Sequence, residues 1–159
     1  MRAGIFGSAH VVAGTPGAII YQQGFEDGTD SWEPLVNCTL GQQTVRPHTG
    51  LASLRTSVAG STGTVSAKRD IGGFIPGRRY KATVWVSVNH AQVSAGRIEV
   101  TGIGAASPVS PLNMDSPSTI QLEYTFTATS STHEVVLAVN SAGTASRQAN
   151  WDDIEIVEV

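Results

Sequence analysis

The chain has 159 residues, a formal net charge of −3 and only 14% charged residues. This length suits one domain with a buried core, and the weak charge excludes an electrostatic attraction to nucleic acid or to an anionic membrane surface. No apolar run approaches the roughly 18 residues of a membrane span, and the single cysteine, Cys38, excludes a disulfide within the chain.

The first predicted element is an extended N-terminal arm, residues 1–19. Its apolar positions are interrupted by glycine, serine, threonine, histidine and proline. The interruptions leave no continuous hydrophobic core of the length that a signal peptide needs. We expect this arm to become ordered only on a partner, for example by adding a strand to a neighbouring sheet edge. The alternative interpretation is a vector-derived or disordered leader.

After the arm, apolar and polar residues alternate as they do in strands with one buried face. The alternation predicts strands at residues 18–26, 32–36, 42–46, 51–58, 62–69, 80–89, 96–102, 120–128, 133–140 and 151–159. Clusters of glycine, proline and serine separate these strands. About ten short strands with such turns predict an all-β protein, an antiparallel jelly-roll β-sandwich over residues 20–159.

The stretch GFEDGTDSW, residues 24–32, fits a calcium loop, an acidic catalytic site or a turn between strands. Counted from Asp27, the sixth position is Trp32, where an EF-hand loop needs glycine. The twelfth position is Cys38, where that loop needs glutamate. The sequence supplies no partners for a catalytic acid here. A strand followed by a turn is the interpretation that remains.

Four segments stand in a characteristic order: GFEDGTDSWEP, HTGLASLRTS, IPGRRYKATVWVSV and NWDDIEIVEV. Together they resemble the carbohydrate-binding modules of the galactose-binding-like β-sandwich type, which are attached to xylanases and glucanases. The resemblance covers about residues 20–159, which is almost everything except the arm. It implies a galactose-binding-domain-like sandwich and, less specifically, sugar binding.

The resemblance also implies a structural calcium ion where the first and last strands meet. Glu26 and Asp152 are the implied ligands, with Asp27 and Asp153 as alternates. Calcium takes about six to eight oxygen ligands, and a cation would relieve the repulsion between neighbouring acids. The alternative is that Asp152 and Asp153 only cap turns and strand ends.

Modules of this type use exposed aromatic rings as platforms for sugar rings, with polar groups beside them for the hydroxyls. The alternation places one tryptophan on the polar face of its strand. The candidate carbohydrate-binding residues, which we expect to share that face, are Trp85, Thr83, Arg97, Glu99 and Gln121. The alternative interpretation makes Trp85 a core residue beneath a loop or the arm. We expect Trp32 and Trp151 to lie in the core.

Sequence patterns typical of catalysis are missing. The sequence contains no HExxH zinc motif, no GxSxG elbow and no P-loop. The histidines, which could serve as acid–base groups or metal ligands, are dispersed singly at His10, His48, His90 and His133. We therefore expect a non-catalytic protein.

Two classes of binding protein remain. One is a stand-alone or excised extracellular module that targets a polysaccharide. The other is a surface protein of a tailed-bacteriophage virion, whose arm docks on capsid or tail proteins and whose sandwich adheres to cell-surface glycans. Because the chain passes from Met1 through the arm directly into a sandwich of low charge, we expect the second. Such a protein is expected to be a homo-oligomer or part of a large assembly.

Overall fold

The computed structural model describes residues 17–58, 63–88, 93–104, 110–111, 118–141 and 147–159. The predicted arm, 1–19, lies outside these residues up to position 16, as do His10 and His90. In the described residues there is no helix, and so none that could cross a membrane. The strands run in chain order as β1 Ile19–Gln23, β2 Glu33–Val36, β3 Thr39–Gln43, β4 Ser53–Val58, β5 Gly63–Gly72, β6 Arg79–Val88, β7 Val93–Val100, β8 Ser110–Pro111, β9 Ser118–Thr127, β10 Thr132–Ser141 and β11 Arg147–Glu158.

The strands form two antiparallel sheets that pack face to face. The first sheet has the order β3-β4-β11-β6-β9, and β1 also pairs with β11. The second sheet has the order β2-β5-β10-β7-β8. This arrangement confirms the predicted all-β sandwich. Several predicted boundaries were wrong by about three residues; for example, β3 begins at Thr39 instead of 42, β7 at Val93 instead of 96 and β11 at Arg147 instead of 151.

The core lies between the sheets and follows the predicted alternation. In β6, Tyr80, Val84 and Val86 are fully buried, whereas Trp85 between them is only partly buried. Trp151 and Trp32 are core residues, as expected, with 0% and 3% of their surface exposed. Each large apolar side chain buried in this way contributes about 2 kcal/mol to folding, which makes this double layer the main source of stability.

The first and last strands meet, as the closure of the sandwich requires. Ile19 of β1 lies opposite Val157 of β11, and Gln23 lies opposite Ile154. Two backbone hydrogen bonds continue this pairing, because the Gly17 N–H donates to the Glu158 carbonyl and the Glu158 N–H donates to the Ala18 carbonyl. Gly17, the first described residue, therefore lies beside the end of β11.

Residues 24–32 form a turn between β1 and β2, as predicted. The Tyr21 hydroxyl donates to Asp30 Oδ2 at 2.7 Å, and Trp32 Nε1 donates to the Tyr21 oxygen at 3.0 Å. Arg69 of β5 lies over the Tyr21 ring and pairs with Asp30. Burial alone would raise the pKa of Asp30, but hydrogen bonds from Tyr21, Arg69 and Gln23 outweigh it and lower that pKa. The ion pair between Asp30 and Arg69 thus holds the turn against β5 of the second sheet.

Candidate functional site

A row of polar side chains crosses the outward face of the first sheet. Arg55 of β4 lies opposite Asn150 of β11, which lies opposite Ser87 of β6, which lies opposite Thr119 of β9. Residues that lie opposite each other in adjacent strands point to the same face. We call these four residues the polar row. Gly41 of β3 lies opposite Arg55 and continues the row without a side chain.

The centre of the polar row is recessed and incompletely hydrogen-bonded. Asn150 and Ser87 are only 5% and 4% exposed although they point away from the core. Arg55 Nε and Asn150 Oδ1 are buried atoms, and neither has a hydrogen-bond partner among the described residues. A buried donor or acceptor that is left unpaired costs about 1–3 kcal/mol. A ligand reaches these two atoms only when the groups that cover them move aside, and one with both a donor and an acceptor would then recover that free energy.

Trp85 lies on the same face, two residues before Ser87 in β6. It stands opposite Gln121 of β9 and Asp152 of β11. Its indole points away from the core, but the imidazole of His48 covers it, with ring centroids 3.9 Å apart and an interplanar angle of 10°. Trp85 is therefore neither a core residue nor a fully exposed platform.

His48 belongs to residues 44–52, which connect β3 to β4 and which we call the covering segment. The backbone N–H groups of His48 and Thr49 donate to Asp152 Oδ2 at 2.6 and 3.1 Å. His48 Nδ1 lies 2.7 Å from Asp153 Oδ2, and the Thr49 hydroxyl donates to Asp153 Oδ1 at 2.8 Å. A bulge in β11 turns the two adjacent carboxylates toward this segment, since the pairing shifts after Asp152 and Asp153 has a φ of 45°.

The other end of the covering segment is held by Glu26. Its carboxylate accepts hydrogen bonds from the Leu51 N–H at 3.0 Å and from the Ala52 N–H at 3.2 Å. Gly50 has a φ of 62°, and a Cβ there would collide with the Glu26 carboxylate. Both the backbone angle and the close approach therefore call for glycine at this position.

The four predicted metal ligands divide into three that contact the covering segment and one that does not. Glu26, Asp152 and Asp153 contact it, whereas Asp27 is exposed on the turn. Burial raises the pKa of Asp152, although backbone N–H donors oppose this effect. Among the described residues, no three His, Cys, Asp or Glu side chains form a group that could hold a metal ion. Oxygen donors suit calcium, but an ion here would need most of its ligands from backbone carbonyls.

The five predicted carbohydrate-binding residues lie on both sides of the sandwich. Thr83, Trp85 and Gln121 share the outward face of the first sheet. Arg97 and Glu99 lie in β7 of the second sheet, where they pair with each other. The expectation that all five share one face is wrong, because alternation fixes the face within a strand but not the sheet that the strand joins.

Sequence reasoning did not find the polar row. Arg55, Asn150 and Ser87 each occupy an outward position in the alternation of their strand, which is the only signal the sequence carries for them. Their meeting depends on the order β4-β11-β6, which brings together strands that are far apart in the chain.

Solved carbohydrate-binding modules have the same fold at low sequence identity. The xylan-binding domain CBM22-1 of Xyn10C from Paenibacillus barcinonensis is 14% identical, with a TM-score of 0.66, and the match covers 92% of this chain and 98% of that chain. The CBM22-1-GH10 modules of Xyn10B from Clostridium thermocellum, complexed with xylohexaose, are 15% identical, with a TM-score of 0.66 and coverage of 91% of this chain and 29% of that chain.

A third structure, TmCBM61 in complex with β-1,4-galactotriose, is 10% identical, with a TM-score of 0.60 and coverage of 86% of this chain and 91% of that chain. A search of curated protein sequences finds no match. The family model described as a carbohydrate binding domain matches residues 17–149, which is most of the sandwich. The chain therefore belongs to the carbohydrate binding domain family.

Proposed function

We propose that this protein binds a glycan on the outward face of its first sheet. The observation that carries the proposal is the pair Arg55 and Asn150, which lie opposite each other in β4 and β11 and whose Nε and Oδ1 atoms have no hydrogen-bond partner among the described residues. A sugar hydroxyl both accepts and donates a hydrogen bond, so hydroxyls on one ring can satisfy both atoms. A purely apolar partner would leave both atoms unpaired.

Trp85 supplies the apolar part of the proposed site. Its indole lies two strands away from Arg55, which is about 10 Å across the sheet. A ligand that contacts both residues must therefore extend over more than one sugar ring. The structural neighbours are a xylan-binding domain and modules complexed with xylohexaose and β-1,4-galactotriose, which makes short β-linked chains the first probes.

The test is calorimetric titration with xylohexaose and β-1,4-galactotriose. We expect Asn150→Ala to weaken binding about tenfold, because one buried hydrogen bond to the sugar is lost. The matched control is Asn140→Ala, which removes the same amide from β10 of the second sheet. No binding of any β-linked glycan, or an equal loss in both variants, would contradict the proposal.

The proposed site is one for binding and not for hydrolysis. Asp152 lies opposite Trp85, and its carboxylate and that of the adjacent Asp153 both accept hydrogen bonds from the covering segment. That arrangement leaves them fixed as structural acceptors, which is unsuitable for a general acid that must exchange a proton. Prolonged incubation with xylohexaose should release no new reducing ends. Release that Asp152→Asn abolishes would show a glycosidase instead.

We also propose a structural calcium ion next to the covering segment. Three carboxylates, one from the turn after β1 and two from the bulge in β11, approach this segment, and the burial of Asp152 beside Asp153 penalises its charge. A cation would offset that penalty. Dialysis against a chelator should lower the melting temperature, and calcium should restore it. The effect should disappear in Asp152→Ala; an unchanged melting temperature in the wild-type protein would rule out the ion.

The proposed setting is the surface of a tailed-bacteriophage virion, with an extracellular module as the alternative. What supports this proposal is that backbone hydrogen bonds between Gly17 and Glu158 and between Glu158 and Ala18 hold the start of the sandwich. They fix the position from which an arm would extend. Deleting residues 1–16 should abolish incorporation into particles and leave the melting temperature unchanged. Retained incorporation would contradict a docking role for the arm with capsid or tail proteins.

A further inference from the structure

We propose that the glycan preferred by this site has a neutral backbone with an occasional carboxylate-bearing sugar, and that Arg55 binds the carboxylate. This inference rests on the proposed glycan-binding function and adds the chemical class of the ligand. It follows from how charge is distributed along the outward face of the first sheet.

Within the described part of the chain, Arg55 is a cation without a counter-charge. It forms no ion pair with any described residue, and its Nε is buried and unpaired. A guanidinium presents its N–H groups in a planar fork that matches a carboxylate with two parallel hydrogen bonds. A uronic acid would supply this carboxylate, and a hydroxyl of the same sugar would donate to Asn150 Oδ1.

The nearest acids do not neutralise Arg55. Asp152 follows Asn150 by two residues in β11, but its Oδ2 accepts the N–H groups of His48 and Thr49 and its Oδ1 accepts that of Asp153. Asp153 in turn contacts the side chains of His48 and Thr49. Both carboxylates are thus directed to the covering segment, and their hydrogen bonds are already made.

The opposite end of the same face carries two glutamates, of which only one forms an ion pair with a described residue. Beyond Trp85 in β6 comes Thr83, which lies between Glu155 of β11 and Glu123 of β9. Lys81 pairs with Glu123 at 3.5 Å, and no described residue forms an ion pair with Glu155. A polyuronate with a carboxylate on every ring would place negative charge against these glutamates. A chain with sparse carboxylates would avoid that repulsion and still use Arg55.

The test compares three probes by calorimetry: xylotetraose, a xylo-oligosaccharide that carries one glucuronic acid branch, and tetragalacturonate. At about 0.02 M salt we expect the branched oligosaccharide to bind about tenfold more tightly than xylotetraose, and tetragalacturonate to bind less tightly than the branched probe. The advantage should shrink at about 0.5 M salt, because salt screens the ion pair.

Arg55→Gln should bring the affinity ratio of the branched and neutral probes from about ten to about one. Arg55→Lys keeps the charge without the fork and should give an intermediate ratio. Arg79→Gln removes an exposed cation from the far end of the same sheet and should leave the ratio unchanged. Melting temperatures of all variants establish that they are folded.

Three results would overturn the inference. Equal affinity of the wild-type protein for the branched and neutral probes would refute the role of Arg55 but leave glycan binding intact. The tightest binding by tetragalacturonate would refute the requirement for sparse carboxylates. Absence of binding to all three probes would remove the proposed function and this inference with it.

Discussion

The imidazole of His48 lies parallel to the indole of Trp85, with centroids 3.9 Å apart. The contact joins a connection between two strands to the sheet beneath it, next to the Asp152 and Asp153 carboxylates that hold the same segment. It places one ring of the chain where a flat ligand ring would otherwise stack. Trp85 is therefore part of the structure of the face as well as a candidate contact for the sugar.

His48→Ala should lower the free energy of unfolding by about 1 kcal/mol, because the variant loses the ring contact with Trp85 and the contact of Nδ1 with Asp153. Denaturant unfolding measures the effect. Val45→Ala is the control, since Val45 lies in the same segment with 55% of its surface exposed. If both variants unfold at the same denaturant concentration, the stack does not stabilise the protein.

Trp151→Phe should lower the free energy of unfolding by about 1–3 kcal/mol more than the loss of buried apolar surface alone would. In the wild-type protein Trp151 Nε1 donates to the Thr56 hydroxyl at 2.9 Å inside the core. A double-mutant cycle with Thr56→Val isolates this bond. The two substitutions should be less than additive, and strict additivity would show that the bond contributes nothing.

Gly50→Ala should destabilise the protein more than Gly77→Ala does. Both glycines have positive φ angles, 62° and 86°, so alanine meets a similar backbone penalty at each. Only at Gly50 does the new Cβ also collide with Glu26, whereas it meets nothing within 4 Å at Gly77. Thermal unfolding of the two variants gives the comparison. Equal losses would mean that Glu26 does not hold the covering segment in place.

The stabilising effect of Asp30 should depend on pH in the direction set by its lowered pKa. A carboxyl group whose pKa is lower in the folded protein stabilises it above the unfolded pKa, about 3.9, and this contribution is lost as the pH falls through the folded value. The difference in melting temperature between the wild-type protein and Asp30→Asn should therefore be largest near pH 7 and shrink below about pH 4. A difference that stays constant would show that the hydrogen bonds of Tyr21 to Asp30 do not depend on its charge.

Much of the fold was predictable because it depends on local patterns. The alternation in β6 identified Tyr80 and Val84 as core and Trp85 as outward-facing, and the family resemblance implied that the first and last strands would meet. The site was less predictable because it depends on strand order. Arg97 was assigned to the wrong face since β7 joins the second sheet, and Arg55 was missed since β4 meets β11 only in three dimensions.

The central claim is that a glycan occupies the outward face of the first sheet. Chemical-shift mapping by NMR tests it directly, with xylohexaose titrated into the isotope-labelled protein. The account predicts that shifts concentrate at the side-chain N–H of Trp85, at the side-chain amide of Asn150 and at the backbone of Ser87, whereas Arg97 and Glu99 remain unchanged. Shifts confined to the second sheet would contradict it.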